Sequence, residues 1–253
     1  MIRSTHPLDH PIWSALTTRQ RAIAEGGALA RRFPLAIAPF AATADASAES
    51  FAALRALASS SDRIVLFTPD PVVSPDGFEV RAARPAQQMI GALSVISTAV
   101  PSVVALGADD VPAMIELAEL TRPGPFSLRT HELGRFLGVR TGGRLVAMAG
   151  ERMKPAGYTE ITAVCTHPEH RGHGYAQALL AAVSRGIAAR GEIPFLHVYS
   201  DNEPAIALYR RMGMSIRRHI EVTVLSARAR LLEAAPLING RAAASPASSL
   251  DGR

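Results

Sequence analysis

The residues best placed to do chemistry stand at Arg171-Gly172-His173-Gly174-Tyr175-Ala176, where a short apolar run ending at His167-Pro168 meets an Ala/Leu-rich stretch. That order reads as a strand, a glycine turn and a helix start. The first turn of a helix carries backbone N–H groups without intrahelical partners, together with partial positive charge from the macrodipole. An anion such as a phosphate satisfies both. Gly172 and Gly174 remove Cβ atoms where a ligand would lie against the backbone, and Arg171 with the neighbouring histidines keeps the local field positive. Two other phosphate loops fail on spacing. A P-loop needs a lysine after its last glycine, and the only lysine is Lys154; a dinucleotide fingerprint needs a third glycine where Gln177 stands.

A second constellation follows the apolar run Phe195 to Tyr199: Asn202, Ala205, Leu208, Tyr209 and Gly213 at fixed offsets. With this pair of motifs the chain resembles the GNAT superfamily of acyl-CoA-dependent N-acyltransferases. Arg171-x-x-Gly174-x-Ala176 is similar to that family's pyrophosphate loop, and Glu160 to Ala176 is similar to its FR47-like branch. The family's Asn-x-x-Ala-x-x-Leu-Tyr-x-x-x-Gly-Phe departs here only at Met214, which stands for an aromatic residue. The resemblance covers roughly Val103 to Leu225.

The resemblance implies an α/β GNAT fold, a mixed and mostly antiparallel central sheet flanked by helices. It implies transfer of an acetyl group from the cosubstrate acetyl-CoA to a primary amine of a small-molecule or peptide acceptor, by direct attack in a ternary complex. A non-catalytic CoA-binding sensor or interaction module is the alternative. Donor binding is expected from Arg171, Gly172, His173, Gly174, Tyr175 and Ala176, and from the strand edge at Val164, Cys165 and Thr166. Asn202 is expected either to bond pantetheine or to cap the following helix. Glu160 is the expected general base, eleven residues before Arg171, with a solvated carboxylate or an ion pair with Arg144 or Arg152 as the other reading. Tyr209 is the expected general acid, and a backbone N–H near Val164 the oxyanion donor. Phe126 and Glu132 are expected at the acceptor wall or simply on loop surface.

The elements that must position these residues divide the chain at about residues 100 and 228. Residues 101–228 read as the acyltransferase domain. Val103 to Leu106 is a strand, and Asp109-Asp110-Val111-Pro112 opens a helix whose apolar face is Met114, Leu117 and Ala118. Gly134 to Val139 and Arg144 to Met153 form a hairpin about Gly142-Gly143, and Tyr158 to Thr166 is the strand that reaches the glycine turn. A helix from about Gly172 to Arg190, a strand Phe195 to Tyr199, a helix Pro204 to Met212 and a strand Ser215 to Leu225 complete it.

Residues 1–100 read as a separate small α/β region: a helix after Pro11, with Ile12, Leu16, Ile23 and Leu29 at spacings that bring them near one face and Gly26-Gly27 interrupting it, a helix over Ser47 to Ala58, and strands Arg63 to Phe67 and Phe78 to Ala82. It is expected to be a support domain, with a degenerate copy of the acyltransferase half, a lid or a homodimer interface as alternatives. Residues 229–253 read as a helical stub and a disordered Ala/Ser/Gly/Pro-rich tail.

Composition excludes several functions. The 253 residues carry a formal charge of +5, with 48% apolar and 19% charged residues, as a globular chain does. Arginine is dispersed rather than clustered, which argues against a nucleic-acid partner. A single cysteine excludes an internal disulfide, and scattered histidines without a ligand pattern argue against a metal. With neither a signal pattern nor an apolar run near membrane length, a cytoplasmic protein with no membrane partner is expected.

Overall fold

The computed structural model describes residues 6–94 and 102–228; the stub and tail expected at 229–253 lie outside them. The first part contains α1 (Pro11–Thr17), β1 (Glu25–Gly26), β2 (Ala30–Arg32), β3 (Ala41–Thr43), α2 (Ala48–Leu57), β4 (Arg63–Thr68) and β5 (Phe78–Ile90). The second contains β6 (Val103–Leu106), α3 (Val111–Thr121), β7 (Phe136–Thr141), β8 (Arg144–Glu151), β9 (Tyr158–Thr166), α4 (Tyr175–Ala188), β10 (Ile193–Tyr199), α5 (Glu203–Arg211) and β11 (Ser215–Ala227).

Strands β1 to β3 form a small sheet, and the other eight form one large sheet in the order β4-β11-β5-β10-β9-β8-β7-β6. Every neighbouring pair in it is antiparallel except β9 and β10. This is the expected mixed, mostly antiparallel sheet. The division expected at residue 100 is not a division of the sheet, because β5 lies between β10 and β11 and β4 extends the far edge. β5 is also much longer than the strand read over Phe78 to Ala82. Pro85 hides the extension, since proline in a central strand removes a ladder donor. The loss is tolerated because Pro85 stands where β10 ends, its carbonyl accepting from Ser200 N just past that strand.

Successive residues of a strand face opposite sides of a sheet, and the two cores follow this rule. Leu196 of β10 packs with Leu179, Leu180 and Val183 of α4, Ile206 and Tyr209 of α5, and Ile161 of β9. Its neighbour Phe195 packs on the other face with Ile12 and Leu16 of α1 and with Phe33, Phe40 and Phe67. Burying each of these large side chains contributes roughly 1.5–3 kcal/mol. The N-terminal segment therefore covers the part of that face around β10, while α3 covers the part over β8 and β9. Its first helix is shorter than the spacing suggested: α1 stops at Thr17, and Ile23 and Leu29 lie beyond it, 37% and 43% exposed.

Two local features prepare the site. Gly142 and Gly143, at φ 58° and 83°, close the β7–β8 hairpin in two residues, setting the register that β9 then meets. α3 ends at Arg122, whose φ of 50° places a non-glycine residue in the left-handed conformation usual for a helix-ending glycine. The loop after it, Pro123-Gly124-Pro125, is thereby aimed across β9.

Candidate active site

The central opening of the sheet lies between β9 and β10. Their parallel pairing runs from Ile193 opposite Tyr158 to Phe195 opposite Glu160, and then stops. Against β8, β9 carries a bulge. Met148 pairs with Cys165 and Gly150 with Thr162, which leaves Ala163 and Val164 opposite the single residue Ala149. Ala163 has φ 53°, a conformation that costs a non-glycine residue on the order of 1–3 kcal/mol. Such a bulge bends its strand, and here the bend carries β9 away from β10.

The gap is a cavity of about 330 Å³. Ile161 to Val164 and Leu196 to Tyr199 form its sides. Asn202 and Tyr209 reach it from α5, while Phe40, Phe67, Arg152 and the loop Thr121 to Pro125 close it elsewhere. Tyr209 is 8% exposed, its hydroxyl bonds no other described residue, and burial pushes its pKa up to about 12. It stays a protonated donor at neutral pH. Asn202 caps α5, its Oδ1 accepting from Ala205 N at 3.3 Å, while also lining the cavity.

The glycine turn leads from β9 into α4. Gly172 and Gly174 have φ of 82° and 75°, and a Cβ at either position would meet no atom within 4 Å. Glycine is therefore required here by backbone conformation, and open space lies in front of it. No side chain caps the 14-residue α4, so its first-turn amides face an open recess of about 540 Å³ lined by Thr166, His170 to Gln177 and Leu208. Arg171 beside it has no ion-pair partner among the described residues. His173 Nδ1 turns inward to the His170 and Arg171 carbonyls, 3.2 and 3.0 Å away, and its ring stacks on Tyr175. Amides without partners, Cβ-free backbone and an unpaired arginine suit a diphosphate group.

Several expected residues stand elsewhere. Glu160 does not face the cleft as a general base would. It is fully buried, both its oxygens accept from Arg152 Nε and Nη2 at 2.7 and 2.8 Å, and His197 Nδ1 lies 2.7 Å from one of them. Burial alone would raise its pKa, but Arg152 and His197 outweigh it and hold the carboxyl at about 2. Of the readings open for Glu160, the ion pair with Arg152 is the one realised. Cys165 points away from the cavity into the core under α3, and burial pushes its thiol up to about 11. Phe126 packs edge-on against Phe136, and Glu132 is tied to Arg129 at 2.6 and 2.8 Å; neither lines the cavity. The residues of this segment that do line the cavity are Thr121 to Pro125, just before them in the chain.

Sequence reasoning passed over His197, Phe40 and Phe67. A histidine inside an apolar strand, two residues from Phe195 and Tyr199 and so on their face, was the available signal for the first. Its Nε2 accepts from Gln88 Nε2 at 3.1 Å, so both ring nitrogens are engaged. Among the described residues no group of three or more His, Cys, Asp or Glu could hold a metal, and no helix is long and apolar enough to cross a membrane.

Comparisons with known proteins agree with this geometry. The family model described as FR47-like protein matches residues 136–222. N-alpha-acetyltransferase RimI of Mycobacterium tuberculosis is 37% identical over 82 residues, which cover 31% of this chain and 50% of that protein. The match thus spans about half the length of that curated relative. A crystal structure from Novosphingobium aromaticivorans, described as an acetyltransferase from the GNAT family, superposes with a TM-score of 0.82 at 43% identity, covering 88% of this chain and 100% of that one. A GCN5-related N-acetyltransferase from Kribbella flavida shares the fold, with a TM-score of 0.61 at 15% identity over 88% and 97% of the two chains.

Proposed function

Because the chain belongs to the GNAT family of acetyltransferases, we propose that it transfers an acetyl group from acetyl-CoA to a primary amine by direct attack within a ternary complex. The observation that carries this reading is the alignment of an anion recess at the start of α4 with a through-sheet gap between β9 and β10, floored by an unpartnered tyrosine. The diphosphate of the donor would rest on the amides of Gly172 to Ala176 beside Arg171. The pantetheine would run along the free edge of β9 at Val164 to Thr166 and past Asn202, adding strand-like hydrogen bonds.

The amine nitrogen attacks the thioester carbonyl, the C–N bond forms and the C–S bond breaks. Tyr209 gives its phenolic proton to the departing sulfur, and water restores it. The N–H of Val164, freed from the β8 ladder by the bulge, is the oxyanion donor. Glu160 and His197 have no free lone pair to offer, so the amine's proton leaves through water in the cavity. Direct attack is favoured over an acyl-cysteine because the thiol of Cys165 is buried on the wrong side and resists ionisation. In this reading the N-terminal segment is part of the enzyme, since Phe40 and Phe67 wall the acceptor side.

Calorimetric titration with acetyl-CoA and with CoA tests the reading, with Gly174→Glu as control. Micromolar binding lost in the variant, followed by thiol release with an amine, supports it. A folded wild-type protein that binds neither ligand would remove it.

A further inference from the structure

The acceptor side of the cavity has a distinct charge pattern. None of the residues lining it is an Asp or Glu, whereas two are arginines. Arg152 is 7% exposed and its guanidinium lies 4.4 Å from the centroid of the Phe40 ring. Glu160 fixes its Nε and Nη2, while Nη1 bonds no other described residue, and Arg152 is among the residues that line the cavity. Nη1 is not among the buried unpartnered atoms, so it stays open to solvent, and a guanidinium N–H left open in this way can donate a charge-assisted hydrogen bond to an anion. Arg122, also a lining residue, is exposed and has no ion pair among the described residues. The same lining includes the apolar side chains of Phe40, Val65, Phe67, Val222 and Val224.

We infer that the acceptor is an amine bearing its own carboxylate beside an apolar body, of the apolar α-amino-acid type, with Arg152 Nη1 and Arg122 binding the carboxylate. The inference rests on the acetyltransferase reading for the identity of the reaction, though not for the anion site. Polyamines and other acceptors with a second cation are disfavoured by the same charges.

Matched ligands test this without altering the protein. N-acetylleucine and N-acetylleucinamide are titrated calorimetrically into the full chain, with and without CoA, and leucine, leucinamide and spermidine are compared as acceptors by thiol release. The expected result is at least tenfold tighter binding of the acid than of the amide, and the same order in kcat/KM. Arg122→Ala, on an exposed loop, reduces the preference several-fold. The paired variant Arg152→Gln/Glu160→Gln, which removes both buried charges together, brings it within about twofold while acetyl-CoA binding persists. Equal binding of acid and amide, preference for leucinamide or spermidine, or no binding of either acetylated ligand at millimolar concentration would overturn the inference. Failure to bind acetyl-CoA while N-acetylleucine still binds selectively would overturn the acetyltransferase reading and leave the carboxylate site standing.

Discussion

Arg152 and Glu160, eight residues apart in the chain, close a two-bond ring of 2.7 and 2.8 Å in the interior, with the carboxylate completely shielded from solvent. Removing one partner strands the other charge, so Glu160→Gln is expected to cost about 3–5 kcal/mol in denaturant unfolding. The folded pKa of about 2 lies below the ordinary 4.5. The stabilisation is therefore complete above about 4.5 and is lost as pH falls toward 2. Unfolding curves for wild type and variant should converge over that window. A variant as stable as wild type but with its acidic pH–rate limb erased would instead mark Glu160 as a base.

Tyr209→Phe isolates the phenol. Its hydroxyl supports no other described residue, so the variant should unfold as wild type does and bind acetyl-CoA unchanged. Loss of a general acid lowers turnover by about 10²-fold or more. Unchanged kcat would transfer the proton donation to water.

Cys165 supplies a test at alkaline pH. Its folded pKa of about 11 lies above the ordinary 9.0, so the unfolded chain ionises first. Wild-type stability should fall between about 9 and 11 relative to Cys165→Ala, and be parallel to it below 9. Native protein should also resist thiol alkylation at neutral pH, while acetyl transfer survives the substitution. Rapid labelling of the native protein would contradict the burial.

A fragment beginning at residue 102 removes β5 from between β10 and β11 and opens two sheet edges. Expressed alone, it is expected to aggregate or to lack a cooperative thermal transition. A soluble, cooperatively unfolding fragment would restore the view of residues 1–100 as an independent domain.

What the sequence made legible was what local chemistry dictates. Gly172, Gly174 and the Asn202 to Gly213 offsets report a turn, a cap and a helix whose conformations depend on neighbours in the chain. Strands β7 to β10 were legible because apolar runs there are bounded by glycine or proline turns. Illegible features depend on residues far away. Eleven positions before Arg171 puts Glu160 on β9, but Arg152 and His197 decide that it is sealed off. Phe126 and Glu132 were near the right loop, yet the bulge at Ala163 decides which turn faces the gap. β5 was cut short because Pro85 argues against a strand unless the end of its neighbour is known.

The place of β5 also governs how the chain reaches this shape. Gln88 meets His197 across 109 residues and Arg217 across 129, so the middle of the sheet joins its most distant segments. During synthesis β5 emerges first and must wait, both edges bare, for β10 and β11 to arrive on either side. Closing such long loops before any reward slows folding and exposes strand edges to other chains. The nascent protein is thus most vulnerable to aggregation while its last third is still being made, and refolding should be slow and strongly dependent on concentration.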